Sequence, residues 1–242
     1  MRRGLILLAF LAGGAAPIQL VTLSFGYAQY IRQEDLGPKV IRTAHEFAAW
    51  YIPWVYLPAL VALVLIVLGA YRSYPDICRR ILGGLCAGAI ATLALDAVRQ
   101  AGVIHGWLPG DTPVMFGKMA TGSNDFSVFY PVGQFVHYLN GANFGLFYAF
   151  VWGKQRSAWA AACWATAWAL IIELGMMLGP PMGPMVGLFG ARYAWPQLFL
   201  VTLVAHVAFG IALGVIAQAL LKDEDRGGLL RFLQEPRIAT VS

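Results

Sequence analysis

Charged side chains are scarce in this chain. Asp, Glu, Lys and Arg make up 12% of the 242 residues, against about 25% in an average globular protein. Hydrophobic residues make up 59%, and the mean hydropathy is +0.66. Apolar runs continue for about 18 residues or more, which is too long for a soluble core interrupted by surface charges. The composition therefore excludes an ordinary soluble domain and predicts a membrane protein that contacts the lipid bilayer.

Cysteine and the common catalytic signatures are also rare or absent. The three cysteines are Cys78, Cys86 and Cys163. They are predicted to lie in or near the cytoplasmic half of the membrane, where structural disulfides are not expected. The sequence has no Gly-x-Ser-x-Gly, P-loop, dinucleotide-binding or His-Glu-x-x-His motif. These absences leave an enzymatic role undecided, with the balance against it.

Six apolar runs are long enough to cross about 30 Å of hydrocarbon. They cover about residues 4–31, 47–71, 80–100, 128–153, 157–179 and 195–221. The first run resembles a signal peptide, but it continues to about Tyr30 and has Pro17 directly after its small residues, which favours an uncleaved helix. The predicted fold is an all-α polytopic membrane protein with six transmembrane helices.

The positive charges predict an orientation. With six spans, one side of the membrane carries 11 Lys and Arg residues and the other side carries 6. Because Lys and Arg concentrate in cytoplasmic loops, both termini are predicted to be cytoplasmic, in a bacterial inner membrane. The formal net charge of +5 follows from this topology, so no nucleic-acid partner is expected.

The chain divides into three predicted regions: an N-terminal hairpin over 1–78, a compact four-helix core over 79–222 and a charged cytoplasmic tail over 223–242. The core is rich in glycine at spacings that let helix backbones approach closely. The glycines expected to pack helices together are Gly84, Gly88, Gly141, Gly145, Gly210 and Gly214.

Four ionisable residues are predicted to lie at similar depths in the outer half of the membrane. At a rise of about 1.5 Å per residue, His137 lies about 12 Å, His206 about 16 Å and Glu173 about 10 Å from the outer ends of their helices. Asp96 lies about five residues from the outer end of its own helix. Ionisable groups at membrane depth are costly and usually mark a functional site.

Two imidazoles and a carboxylate suit a divalent metal such as zinc, iron or manganese. His137, Glu173 and His206 are therefore predicted metal ligands or proton carriers, and Asp96 a group that orients a histidine or relays protons. A hydrogen-bonded polar cluster without an ion is an equally open interpretation. A b-type haem held by the two histidines is a further alternative.

Three stretches from Gly83 onward resemble the YagU-like family of small bacterial inner-membrane proteins, whose biochemical role is undefined. The first is a Gly-rich helix that leads through Asp96 to Leu108-Pro109-Gly110-Asp111-Thr112-Pro113. The second is the helix that contains Phe135-Val136-His137 and Phe144-Gly145-Leu146-Phe147-Tyr148-Ala149. The third is Glu173 with Leu178-Gly179-Pro180-Pro181, followed by Val204-Ala205-His206-Val207. The resemblance covers about residues 83–221. It implies that His137 and His206 recur, that histidine can replace Glu173, and, loosely, a link to acid tolerance.

Two classes of function follow from the sequence. The first is a membrane protein whose outer-half His/Glu site binds a divalent metal or relays protons. The second is an accessory subunit that packs against a larger respiratory or other membrane complex, or a homo-oligomer. A bis-histidine haem b electron carrier is the third hypothesis.

Overall fold

The computed structural model describes residues 1–15, 38–179, 183 and 186–234, and within them it has helices and no β-strand. The helices are α1 (Arg2–Phe10), α2 (Pro38–Tyr51), α3 (Leu57–Ala70), α4 (Pro75–Ile104), α5 (Thr112–Thr121), α6 (Phe126–Val151), α7 (Ala158–Leu178), α8 (Gln197–Leu220) and α9 (Leu229–Gln234). A π-helical segment, Leu11–Ala15, extends α1, and another, Ile52–Tyr56, joins α2 to α3. Short 3-10 turns lie at Leu188–Gly190 and Asp223–Asp225. The predicted all-α class is confirmed.

Four helical stretches of the described chain are long and apolar enough to cross a membrane. They are His45–Ala70, Pro75–Ile104, Ala158–Leu178 and Gln197–Leu220, and they coincide with the runs predicted at 47–71, 80–100, 157–179 and 195–221. The run predicted at about 4–31 includes residues 16–31, which lie outside the described part of the chain. Four such helices indicate a membrane protein.

Helix α6 is as long as the others but less apolar. It was predicted as a span over 128–153 and forms over Phe126–Val151, yet it is not one of the four apolar stretches in the described residues. Its polar residues include His137, Asn140 and Asn143, all buried. Half of the helix is buried, and it packs against α4 and α5. The polar side chains therefore lie inside the bundle, as expected for polar residues at membrane depth.

Local chemistry accounts for the helix boundaries. Pro75 begins α4, where the missing N–H of proline would have had no intrahelical partner. The carboxylate of Asp125 caps α6 by accepting from the backbone N–H of Ser127 at 2.9 Å. Ser157 caps α7 in the same way. Helix α5 ends at Gly122, whose φ of 66° is a left-handed conformation that favours glycine.

The glycine-rich helices approach one another backbone to backbone. A β-carbon on Gly84 would lie 2.6 Å from the Cα of Leu146, and one on Gly145 would lie 2.7 Å from the Cα of Gly88. The remaining predicted glycines have similarly close neighbours: Gly141 faces Thr92 in α4, and Gly210 and Gly214 face Thr166 and Ala161 in α7. These contacts bring α4 against α6 and α7 against α8. The helices that carry Asp96 and His137 are therefore neighbours, and so are those that carry Glu173 and His206.

Part of the predicted charged tail packs onto the end of α4. Asp225 is fully buried, and its carboxylate accepts from the Nε of Arg79 at 2.6 Å. Arg80 is 1% exposed and donates to the backbone carbonyls of Ala149 and Asp225 at 3.1 and 2.8 Å. The chain after residue 222 is therefore attached to the core as far as α9, and residues 235–242 lie outside the described part.

Candidate functional site

His206 and Glu173 form a buried pair between α8 and α7. The Nδ1 of His206 lies 2.6 Å from Oε2 of Glu173 and 2.9 Å from the backbone oxygen of Thr202, one turn earlier. The hydroxyl of Thr202 lies 2.7 Å from the other carboxylate oxygen. Glu173 is 1% exposed. Because both neighbours of Nδ1 accept hydrogen bonds, Nδ1 carries the hydrogen, and Nε2 is the nitrogen left for other chemistry.

A second pair lies between α6 and α4. The Nε2 of His137 lies 2.8 Å from Oδ1 of Asp96, and the hydroxyl of Tyr138 donates to Oδ2 of Asp96 at 3.1 Å. The Nε of Arg99 donates to Oδ1 of Asp96 at 2.9 Å, and its guanidinium also pairs with Asp111 from the following loop. The carboxylate of Asp96 can only accept from His137, so Nε2 carries the hydrogen and Nδ1 is left free.

The two histidines line one cavity. It has a volume of about 100 Å³ and is partly open. Since one water needs about 10–15 Å³ of such space, the cavity can hold several waters or a small molecule. Its polar lining comprises His137, His206, Arg99, Asn140, Thr92, Thr112 and Thr202, and its apolar lining includes Leu95, Phe116, Phe144, Ile172, Val201 and Phe209. The side chains of His137 and His206 are 8% and 9% exposed. Both histidines border this cavity.

The charges around the cavity do not balance when both histidines are neutral. Asp96 and Asp111 carry two negative charges against one positive charge on Arg99, and Glu173 adds a further negative charge. The sum is –2. Net charge at membrane depth is costly, so positive charge beside these carboxylates would be favourable.

The predicted metal ligands do not form one cluster. Glu173 and His206 are in contact, whereas His137 contacts Asp96. In the described ranges, no three His, Cys, Asp or Glu residues are grouped so that they could hold a metal ion. Ligation of a metal by His137, Glu173 and His206 therefore stays a prediction. In the arrangement seen here, the carboxylate of Asp96 orients the imidazole of His137 and the backbone oxygen of Thr202 orients that of His206, as carboxylate and carbonyl oxygens do behind histidine ligands of metals.

The structure adds residues that the sequence interpretation did not assign to the site. Arg99 follows Asp96 by three residues and Thr202 precedes His206 by four, which are the spacings of neighbours on a helix face. Those spacings alone predict that Arg99 is a neighbour of Asp96 and that Thr202 is a neighbour of His206. Asp111 comes from the loop before α5, and no local pattern in the sequence connects it to Arg99.

The volume of the cavity bears on the haem alternative. A cavity of 150 Å³ holds benzene, and the space between the histidines is smaller, at about 100 Å³. A b-type haem held by the two histidines stays a prediction.

No known protein family, curated protein or solved structure matches this chain. The resemblance to the YagU-like family consequently stays a prediction that depends on the short motifs themselves.

Proposed function

We propose that this chain is a bacterial inner-membrane protein that crosses the membrane six times, has both termini in the cytoplasm and relays protons at the cavity between His137 and His206. The observation that carries the proposal is the pairing of each imidazole with a carboxylate on the border of one cavity, at 2.8 Å for the half-buried Asp96 and 2.6 Å for the buried Glu173.

Six passes are supported by lengths and by charge distribution. Helix α6 has 26 residues and is about 39 Å long at about 1.5 Å per residue, which exceeds the hydrocarbon thickness of about 30 Å. Its buried polar face explains why its mean hydropathy is lower than that of the four apolar stretches. The excess of Lys and Arg on one side supports the cytoplasmic placement of both ends.

Proton relay accounts for the pairing better than metal binding alone. Histidine is the side chain whose ordinary pKa lies closest to neutral pH, and an adjacent carboxylate stabilises the protonated imidazole. Each imidazole has one nitrogen with a hydrogen and one without, so it could take up a proton at one nitrogen and release one from the other. Two such pairs on one cavity provide successive positions for a proton within a space able to hold waters.

Divalent metal binding is the second candidate, and one observation favours it. Each imidazole directs its N–H at a carboxylate or carbonyl oxygen and leaves the other nitrogen available, which is the usual state of histidine that ligates a metal. Two nitrogens are fewer than the three protein ligands of a typical catalytic zinc site. A metal held here would need further ligands from water or from a small molecule.

The experiment reconstitutes the full chain in liposomes that contain a pH-sensitive dye and imposes a potassium diffusion potential. Wild-type liposomes should acidify faster than protein-free liposomes, and His137→Phe and His206→Phe should slow this flux. His105→Phe is the matched control, because His105 is exposed in the loop after α4. Equal flux in wild-type and protein-free liposomes would refute the relay, as would unchanged flux in both site variants.

Elemental analysis of the same preparations tests the second candidate. Stoichiometric zinc, iron or manganese that is present in the wild type and lost in both site variants would favour metal binding. Thermal unfolding and elution as a single species confirm that each variant is folded before its flux or metal content is interpreted.

A further inference from the structure

Five buried polar atoms on three side chains, of which one borders the cavity, have no hydrogen-bond partner among the described residues. They are the hydroxyl oxygen of Tyr56 and both side-chain amide atoms, Nδ2 and Oδ1, of Asn140 and Asn143. The three side chains are 3%, 3% and 1% exposed. Within a bilayer, a polar group without a partner is strongly unfavourable, because the lipid offers no hydrogen bonds. Five such atoms on three neighbouring side chains therefore require hydrogen-bond partners.

The positions of these side chains define a polar line, which follows α6 from the cavity and ends at Tyr56 in the segment that packs against α6. Asn140 and Asn143 are three residues apart and so lie on one face of α6. Tyr56 packs with Val136 of α6 in a hydrophobic cluster, and its hydroxyl faces the side chain of Asn143 without reaching hydrogen-bond geometry. Asn140 also borders the cavity that His137 lines. From His137 to Asn143 the line advances about 9 Å along α6.

The chemistry of the five atoms selects a neutral occupant. A cation would satisfy the oxygens of Asn140, Asn143 and Tyr56 but would leave both amide NH₂ groups without acceptors. An anion would satisfy the NH₂ groups and leave the oxygens without donors. A molecule that both donates and accepts satisfies every atom. Water does so at the least volume, and about two waters with about three hydrogen bonds each suffice for the five atoms.

We propose that bound water molecules connect the cavity at His137, past Asn140 and Asn143, to the hydroxyl of Tyr56. This water chain extends the proposed proton relay from the outer half of the membrane toward the inner half and rests on that proposed function for its role. Its existence depends only on the buried amides and the hydroxyl. Neutral side chains that both donate and accept can pass hydrogen bonds along such a chain without holding a charge.

Radiolytic hydroxyl-radical labelling of the full chain in detergent detects the water, because radicals generated at bound water modify adjacent tyrosines. Tyr56 should be labelled several-fold faster than Tyr148, which is equally buried but bonded to the carbonyl of Ala161 at 3.1 Å. Labelling of Tyr56 should fall in Asn140→Leu and Asn143→Leu. Equal labelling of the two tyrosines in the wild type would refute the water chain.

Thermal unfolding provides a second readout that remains informative if labelling is weak. If water satisfies the amides, Asn140→Leu and Asn143→Leu should lower the midpoint of unfolding, because hydrogen bonds are lost. If the amides have no partner, leucine removes an unsatisfied group and the midpoint rises, which would refute the proposal. Asn124→Leu is the control, since Asn124 is exposed in the loop before α6.

Failure of the water chain and failure of the relay give different results. Fast labelling of Tyr56 together with no proton flux in liposomes would retain the water and refute the relay. Flux that depends on His137 but is unchanged in Asn143→Leu would retain the relay and refute this path.

Discussion

The contact between α4 and α6 should control both the stability of the bundle and the geometry of the site. Gly145→Ala places a β-carbon 2.6 Å from the backbone nitrogen and 2.7 Å from the Cα of Gly88. Carbon atoms in ordinary contact are about 3.5–4.0 Å apart, so the two backbones must separate by about 0.8 Å or more. Backbone cannot rotate away as a side chain can, and the whole helix has to move.

The same movement should weaken the pair between Asp96 and His137, since the two residues lie on these two helices. Their separation of 2.8 Å would grow toward about 3.6 Å, which is beyond hydrogen-bond range. Overpacking of a tight contact costs about 1–3 kcal/mol. We therefore expect Gly145→Ala to lower the free energy of unfolding by about that amount and to slow proton flux.

The matched control is Gly175→Ala in α7. A β-carbon on Gly175 would meet nothing within 4 Å, and alanine is favoured over glycine in a helix by up to about 1 kcal/mol. This variant should be as stable as the wild type or slightly more stable. Unfolding in dodecyl sulfate, followed by circular dichroism, measures the difference. The packing argument is refuted if Gly145→Ala and Gly175→Ala unfold alike and conduct protons alike.

Three further predictions follow from the charged residues. Glu173→Gln should slow proton flux, because the carboxylate facing His206 is lost. The liposome assay measures this effect, and an unchanged flux would argue against a role for this pair. Asp225→Asn should lower the free energy of unfolding by about 3 kcal/mol, since it removes the buried partner of Arg79. A free energy of unfolding equal to that of the wild type would contradict the idea that this pair holds the tail on α4. Hydrogen bonds at the N-terminus of α6 lower the pKa of Asp125 from its ordinary 3.8. The stabilising contribution of Asp125 is therefore full above pH 3.8 and is lost as the pH falls through the lower pKa of the folded state. Asp125→Ser should lack this pH-dependent contribution when stability is measured against acid pH, and an acid profile identical to that of the wild type would contradict the prediction.

The residues that sit deep in the bundle could be predicted because position along a helix follows directly from sequence number. The predicted runs at 80–100, 157–179 and 195–221 correspond to α4, α7 and α8. A fixed rise per residue also places Glu173, His137 and His206 well inside their helices. Residue numbers do not predict the direction in which each side chain points. That direction depends on how each helix is rotated against its neighbours.

The alternative pairings in the site show the difference. The sequence interpretation grouped His137 with Glu173 and His206, with Asp96 as a supporting group. In the structure His137 contacts Asp96, and His206 contacts Glu173. Both arrangements have the same residues at the same depths. The close backbone contacts of α4 with α6 and of α7 with α8 decide between them, because each contact places one acid beside one histidine.

The sequence by itself determined the helical character of the chain, the apolar stretches able to cross a membrane and the ionisable residues buried within them, since these depend on composition and on the regular rise of a helix. Only the tertiary structure decided that two histidines border one cavity, that Asp111 reaches Arg99 from a loop, and that Asn140, Asn143 and Tyr56 form a polar line. Those features depend on contacts between helices that are distant in sequence. Such contacts are determined jointly by the rotation of each helix and by the packing of the whole bundle.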